Sequence, residues 1–159
     1  MTFEAAVRAA PSPVNGAYRP GKQALEKRHR KHVTCVDSLR LTGSLDLDGA
    51  LAREPRYAKQ PRWDYGLGYK PSRGKEQAVW VEVHSATTGE VSAVLGKLQW
   101  LRDWLSAEAG WLKRLTDHAG EDIRFVWIAS AGDRISRNSP QFRRLSQSGL
   151  RLKERLALP

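Results

Sequence analysis

The sequence predicts an α/β domain with a mixed central sheet flanked by helices, and three observations carry that expectation. RWDYGLGY (62–69) and AVWVEVHS (78–85) each alternate in residue character with the period of a strand, and the polar turn PSRGKE between them makes the two a β-hairpin. IRFVWIAS (123–130) is a nearly continuous apolar run, as a buried central strand would be. Between these strands, Val91, Val94, Leu98, Leu101 and Leu105 recur at helical spacing.

Taken in order, FEAAVRAA (3–10) reads as a short helix, and the Pro- and Gly-rich PSPVNGAYRPG (11–21) as a loop. Residues 1–21 therefore form an N-terminal arm, and 22–159 a single domain. KQALEKRHRKHV (22–33) is expected to be a helix with a strongly basic exposed side. In RLTGSLDLDGAL (40–51), Leu45 and Leu47 alternate with Ser44, Asp46 and Asp48, which predicts a strand ending near Asp48-Gly49. A polar loop through Pro55 and Pro61 leads into the hairpin. The long helix starts at Thr87-Thr88-Gly89-Glu90 and runs to about Trp111. Ser139-Pro140 is an N-cap with proline in the first helical position, opening a last helix to about Ser148.

A chain of 159 residues supports one hydrophobic core and no second catalytic domain. With 40% apolar and 28% charged residues it is expected to fold as a soluble globule. A single cysteine, Cys35, excludes an internal disulfide, and no Cys/His cluster has zinc spacing. The absence of a secretory signal core or a long apolar run predicts a cytoplasmic protein without membrane association. The charge is the more informative quantity. Lys and Arg number 27 against 17 Asp and Glu, a net charge of +10 that favours an anionic partner, nucleic acid first among them. The excess concentrates in KRHRKH (27–32), which nominates Lys27, Arg28, Arg30 and Lys31 as nucleic-acid contacts, and in RRLSQSGLRLKER (143–155). An ordinary solvated surface is the alternative for either patch.

Centring the hairpin turn on Arg73 pairs residues whose numbers sum to 146. A register shifted by two, which sets the carboxylates diagonally apart, is the alternative for so long a loop. In the first register Asp64 lies opposite Glu82, Gly66 opposite Trp80, and Arg62 opposite His84. The same register puts Trp63, Tyr65, Leu67 and Tyr69 on one face with Val79, Val81 and Val83, leaving the carboxylates together on the other. Like charges facing each other across a ladder are destabilising, so a compensating group is expected. Arg62 or water on an exposed sheet face would suffice. The alternative is a divalent cation held by Asp64 and Glu82, with Mg²⁺ favoured for its hard oxygen ligands and His84 placed to orient or deprotonate water.

These residues and the α-β-β-β-α-β order resemble the PD-(D/E)XK nuclease superfamily, the restriction-endonuclease-like fold, over roughly residues 22–130. Asp64 stands at the family's aspartate position, Glu82 at its acidic position, and His84 where the lysine would be. Trp63 precedes Asp64 in place of proline. The resemblance implies hydrolysis of phosphodiesters in DNA or RNA with Mg²⁺ or Mn²⁺. In some members the lysine has moved to the following helix, and Lys97, seven residues after Glu90 and on the same side of that helix, is the candidate here. A catalytically inactive nuclease-like domain that binds nucleic acid or another protein is the alternative.

Other features carry less. Asp46 and Asp48 share a face with Ser44 and border the same site if their strand adjoins the hairpin. Glu90 reads as a first-turn carboxylate at a helix N-terminus. Trp100, Trp104 and Trp111 form a stripe on the long helix, separate from its Leu/Val face, and belong to the core or offer a homodimer surface, with stacking on bases the rarer role. Ser136, Ser139 and His118 lack nucleophile spacing, and no glycine-rich phosphate loop is present, which argues against serine-hydrolase and P-loop chemistry.

Overall fold

A computed structural model describes all 159 residues. Helix α1 (Phe3–Arg8) is capped by Thr2, whose hydroxyl accepts the Ala5 N–H at 3.1 Å. There follow β1 (Tyr18–Arg19), a single helical turn α2 (Lys27–Arg30), β2 (Val33–Cys35), β3 (Leu41–Asp46) and the short α3 (Leu47–Leu51). The hairpin strands are β4 (Tyr65–Tyr69) and β5 (Gln77–Thr87). Helices α4 (Val91–Glu108), α5 (Gly110–Asp117) and α6 (Glu121–Arg124) lead to β6 (Phe125–Arg134), and α7 (Pro140–Gln147), β7 (Arg151–Lys153) and β8 (Leu156–Leu158) close the chain. No helix is long and apolar enough to cross a membrane.

Six strands form one mixed sheet in the order β1-β3-β4-β5-β6-β7. The strands β3, β4 and β5 are an antiparallel meander, and β6 and β7 add in parallel beyond β5. The α/β class and mixed sheet agree with the pattern read from the sequence. So does the hairpin register, because Tyr65 pairs with Val81, Gly66 with Trp80 and Leu67 with Val79. Both faces of the sheet are covered. Trp80, Trp127 and Leu45 pack with α1, α4, α5 and α7 on one side. Tyr65, Leu67, Val79, Val81, Val126 and Ile128 pack on the other, against Leu25 and the separate parallel ladder of β2 and β8.

Four expectations change. The helix expected over 22–33 shrinks to the turn α2, because its backbone groups are satisfied otherwise. The Lys22 ammonium donates to the carbonyls of Arg30 and Val33, the Arg30 guanidinium donates to those of Leu25 and Gln23, and Val33 pairs in the β2–β8 ladder. The long helix ends at Glu108, since Ala109 leaves the helical region (φ −135°, ψ 57°) and α5 begins anew. Strand β3 stops at Asp46, whose carboxylate accepts the Gly49 N–H at 2.8 Å and starts α3. Trp63 joins the core of Trp80, not that of Tyr65, because it precedes the ladder and does not share its alternation.

The tryptophan stripe does not form a free helix face. Trp104 is buried, Trp100 is stacked on it at 6.2 Å and donates to Gln60 of the preceding loop, and Trp111 lies on the separate α5. Of the stripe expected to offer a homodimer surface, Trp104 is thus buried, Trp100 is partly covered by the chain itself, and Trp111 is exposed.

The close approach of β4 to Trp80 depends on Gly66. A Cβ there would stand 2.8 Å from the indole, which is fully buried and anchored by a 2.8 Å hydrogen bond from its Nε1 to Thr116 of α5. Gly66→Ala should therefore lower the unfolding free energy by about 1–3 kcal/mol, the ordinary cost of overpacking. Urea unfolding followed by tryptophan fluorescence measures it, and an unchanged midpoint would mean that the ring has room to shift.

Candidate functional site at the end of the hairpin

The ladder between β4 and β5 ends at Tyr65 and Val81, and the next pair, Asp64 and Glu82, makes a different connection. The Asp64 N–H donates to Glu82 Oε2 at 3.0 Å, and the Val83 N–H donates to Asp64 Oδ2 at 3.0 Å. Each carboxylate thus takes a backbone donor from the opposite strand. Glu82 lies on the face covered by α4 and is wholly inaccessible to solvent. The solvent-exposed sheet surface that would have explained this pair cheaply does not exist.

The compensating charge is Lys97. Its position on α4 follows from the packing of Val94, Leu98 and Leu101 into the core, which turns the lysine toward the sheet. Its ammonium donates to Glu82 Oε1 and stands 3.8 Å from Asp64 Oδ1. Arg62 has other partners. It donates to Asp48 Oδ1 at 2.9 Å and to the carbonyls of Tyr57 and Ala58.

Two carboxylates and one ammonium leave one negative charge in excess. Burial first, then the neighbouring Asp64, pushes the Glu82 pKa up to about 8. Asp64 is also raised, chiefly by burial, against the opposing pull of Lys97. For Lys97, burial favours the neutral amine, but attraction to Glu82 and Asp64 outweighs it and raises the pKa. The cluster titrates as a unit that keeps the lysine charged and retains an extra proton on its carboxylates toward neutral pH.

Asp64 opens onto a cleft of about 330 Å³ whose wall includes Asp46, Asp48, His29, His84 and Ser130. Asp46 has its pKa raised by burial, with Asp48 and Asp64 adding to the rise. The expectation that Asp46 and Asp48 border the hairpin site holds in this geometry, since β3 lies beside β4. His84 sits on the wall but not on the carboxylate pair. Its Nε2 is 2.8 Å from Glu90 Oε2, and its carbonyl accepts the Trp127 indole N–H at 3.1 Å.

His29 was not singled out from the sequence, where it is one letter inside a basic run. Its Nδ1 is 2.8 Å from the hydroxyl of Tyr65, whose own pKa burial pushes up to about 12. The contact joins residues 36 positions apart and has no signature in local spacing. Among the basic residues of the same run, Lys27 and Lys31 are exposed without ion pairs, and Arg28 pairs with Glu26 at the cleft edge. Arg30 is folded back onto backbone carbonyls. No three His, Cys, Asp or Glu side chains converge as a ready metal cage.

The raised carboxylate pKa values give stability a definite pH dependence. A proton held by the folded state but released by the unfolded chain stabilises the fold fully below 4.5, the ordinary Glu82 value, and that contribution is lost as pH rises through about 8. Asp64 acts in the same direction, whereas the Lys97 rise matters only above its ordinary 10.5. In EDTA, the wild-type unfolding free energy should fall by more than about 1 kcal/mol between about pH 5 and pH 8, and Glu82→Gln should flatten the profile. Equal slopes in the two proteins would remove Glu82 from this balance.

Comparison with proteins already characterised adds no further constraint: no family model, curated protein or solved structure matches this chain.

Proposed function

We propose that the chain is a Mg²⁺-dependent phosphodiester hydrolase acting on nucleic acid, with a restriction-endonuclease-like core. The observation that carries this reading is the convergence of Asp64, Glu82 and Lys97, from the hairpin and the helix that follows, with Asp64 on the wall of a cleft edged by the basic turn α2, and Glu82, buried, and Lys97, half-buried, behind it. The meander β3–β5, helix α4 and parallel strand β6 that hold them support the reading, although α3 stands between β3 and β4 and α5 and α6 precede β6. Lys97 takes the place of the lysine that His84 replaces on the strand.

The donor chemistry fits a hard cation. Asp64 Oδ1 accepts no hydrogen bond and belongs to a residue on the cleft wall, and Asp46 and Asp48 add carboxylates nearby. Glu82 would contribute an oxygen on releasing Lys97 or the Asp64 N–H. A preformed cage is not required, because Mg²⁺ keeps several waters and takes only one or two protein carboxylates. Bound there, such an ion supplies polarisation of a phosphoryl oxygen and a more acidic water. Lys97 supplies positive charge beside the reacting phosphate, and Glu90 holds the His84 imidazole on the wall, where it can orient a water.

One observation favours the alternative of a non-catalytic binding module: both Glu82 oxygens already accept protein donors in a fully buried setting. Cleavage of single-stranded and duplex DNA and RNA with Mg²⁺ or Mn²⁺ decides between the two. Asp64→Asn and Lys97→Ala should each reduce cleavage by about 10²–10⁴-fold, whereas His84→Ala should cost less than about tenfold. Near-UV circular dichroism checks that each variant keeps its tertiary packing. Metal-dependent cleavage absent from the wild type would leave the binding module as the better reading, and cleavage untouched by Lys97→Ala would remove the lysine from the mechanism.

A further inference from the structure

A second cavity, of about 420 Å³, meets the carboxylate cleft at Ser130, which lines both. Ala129 and Gly132 flank Ser130 in its wall, and the other walls come from Lys31 and His32 on one side, and from Glu154 and Arg155, in the turn between β7 and β8, on another. The parallel ladder brings these walls together. Val33 pairs with Leu156, and the Leu156 N–H donates to the His32 carbonyl at 2.8 Å, so His32 is held beside the residue that precedes Leu156, which is Arg155. Ser130 reaches the junction through a bulge. The pairing of β5 with β6 passes from His84–Ala129 to Ala86–Asp133, so that residues 130–132 stand opposite Ser85 alone. Gly132 takes the left-handed conformation (φ 85°) that this excursion needs.

The two cavities differ in charge. Asp46, Asp48 and Asp64 line the first beside the Glu26–Arg28 ion pair, so its carboxylates outnumber its cationic side chains. In the second, Lys31 and Arg155 make no ion pair and are exposed, with only Glu154 opposing them. Lysine, arginine, imidazole and a serine hydroxyl around one hollow are the donors that phosphate oxygens take.

We propose that this basic cavity binds a backbone phosphate of the nucleic acid, next along the strand from the phosphodiester presented to Asp64. The assignment rests on the nucleic-acid reading above and adds the direction in which the strand crosses the site, from the β2–β8 ladder over Ser130 to the hairpin. His32 supports it: burial first, then the positive charges of Lys31, His29 and Arg155, lower its pKa, and a bound phosphate would reverse that crowding, with Glu154 the sole acid in the cavity wall.

The test is fluorescence anisotropy of short labelled DNA and RNA oligonucleotides in EDTA, where nothing is cut. The double variant Lys31→Ala/Arg155→Ala should lose about tenfold or more in affinity across sequences, and its salt slope should fall by about 2. Arg73→Ala/Lys75→Ala, which removes the same charge at the exposed far end of the hairpin, should change affinity much less. In parallel, inorganic phosphate at constant ionic strength should raise the midpoint at which the His32 ring resonance titrates in the wild type, and not in the Lys31/Arg155 variant. Equal losses in the two double variants, wild-type affinity in the Lys31/Arg155 variant, or a His32 resonance indifferent to phosphate would overturn the proposal. Cleavage assays separate it from the enzyme reading. A wild type that binds through this cavity yet cuts nothing keeps the phosphate site and removes the hydrolase. Full cleavage and full affinity in the double variant do the reverse.

Discussion

The ion pair between Lys97 and Glu82 is the contact on which the arrangement of this chain turns. A glutamate without solvent exposure, one hydrogen bond from a second carboxylate, is expensive to keep in a folded protein. Its cost is offset because α4 brings an ammonium to one oxygen and the Asp64 backbone brings an N–H to the other. Removing one partner from a buried charge cluster commonly costs about 3–5 kcal/mol, so the lysine is a structural element whatever chemistry it performs. Its placement needs α4 seated by Val94, Leu98 and Leu101, and the carboxylates need the hairpin in its observed register. Packing and site geometry therefore depend on each other.

Much of the site is readable from the sequence because its first constraint is steric. Trp80 needs a gap in the neighbouring strand, Gly66 supplies it, and a turn centred on Arg73 aligns the two. Once those residues are opposite each other, Asp64 and Glu82 must be neighbours. Lys97 is legible too, since seven residues from Glu90 is two helical turns, and the strand residues His84 and Glu82 meet Glu90 and Lys97 in turn. What alternation does not reveal is the cover over a face. Trp80, Glu82 and His84 have the pattern of a polar surface, yet α4 and α5 bury the first two, so burial is decided by helices whose docking is a tertiary event.

The segments that were misread share another cause. The stretch 22–33 has the composition of a basic helix, but Val33 pairs with Leu156, more than a hundred residues away, and two cationic side chains bind the backbone carbonyls that a helix would have used. Strands of three residues, such as β2 and β8, are too short to show a period. His29 becomes a neighbour of Tyr65 only through this unpredicted turn. The same fold sorts KRHRKH into different duties, with Arg30 closing the turn and Lys31 left free at a cavity.

A lysine carried by the helix rather than by the strand changes how the site is built. Had it stood at position 84, hairpin register alone would have placed it. Here the three polar-tipped residues of β5 on the helix side engage two helices: Trp80 donates to Thr116 of α5, Glu82 takes Lys97 of α4, and His84 meets Glu90 at the start of α4. The break at Ala109 lets α4 and α5 dock separately on that one strand. Docking of α4 is consequently the same event as neutralising the buried carboxylate. A cluster assembled this way is complete only when the helix is fully seated, which ties the geometry at Asp64 to the packing of the core behind it.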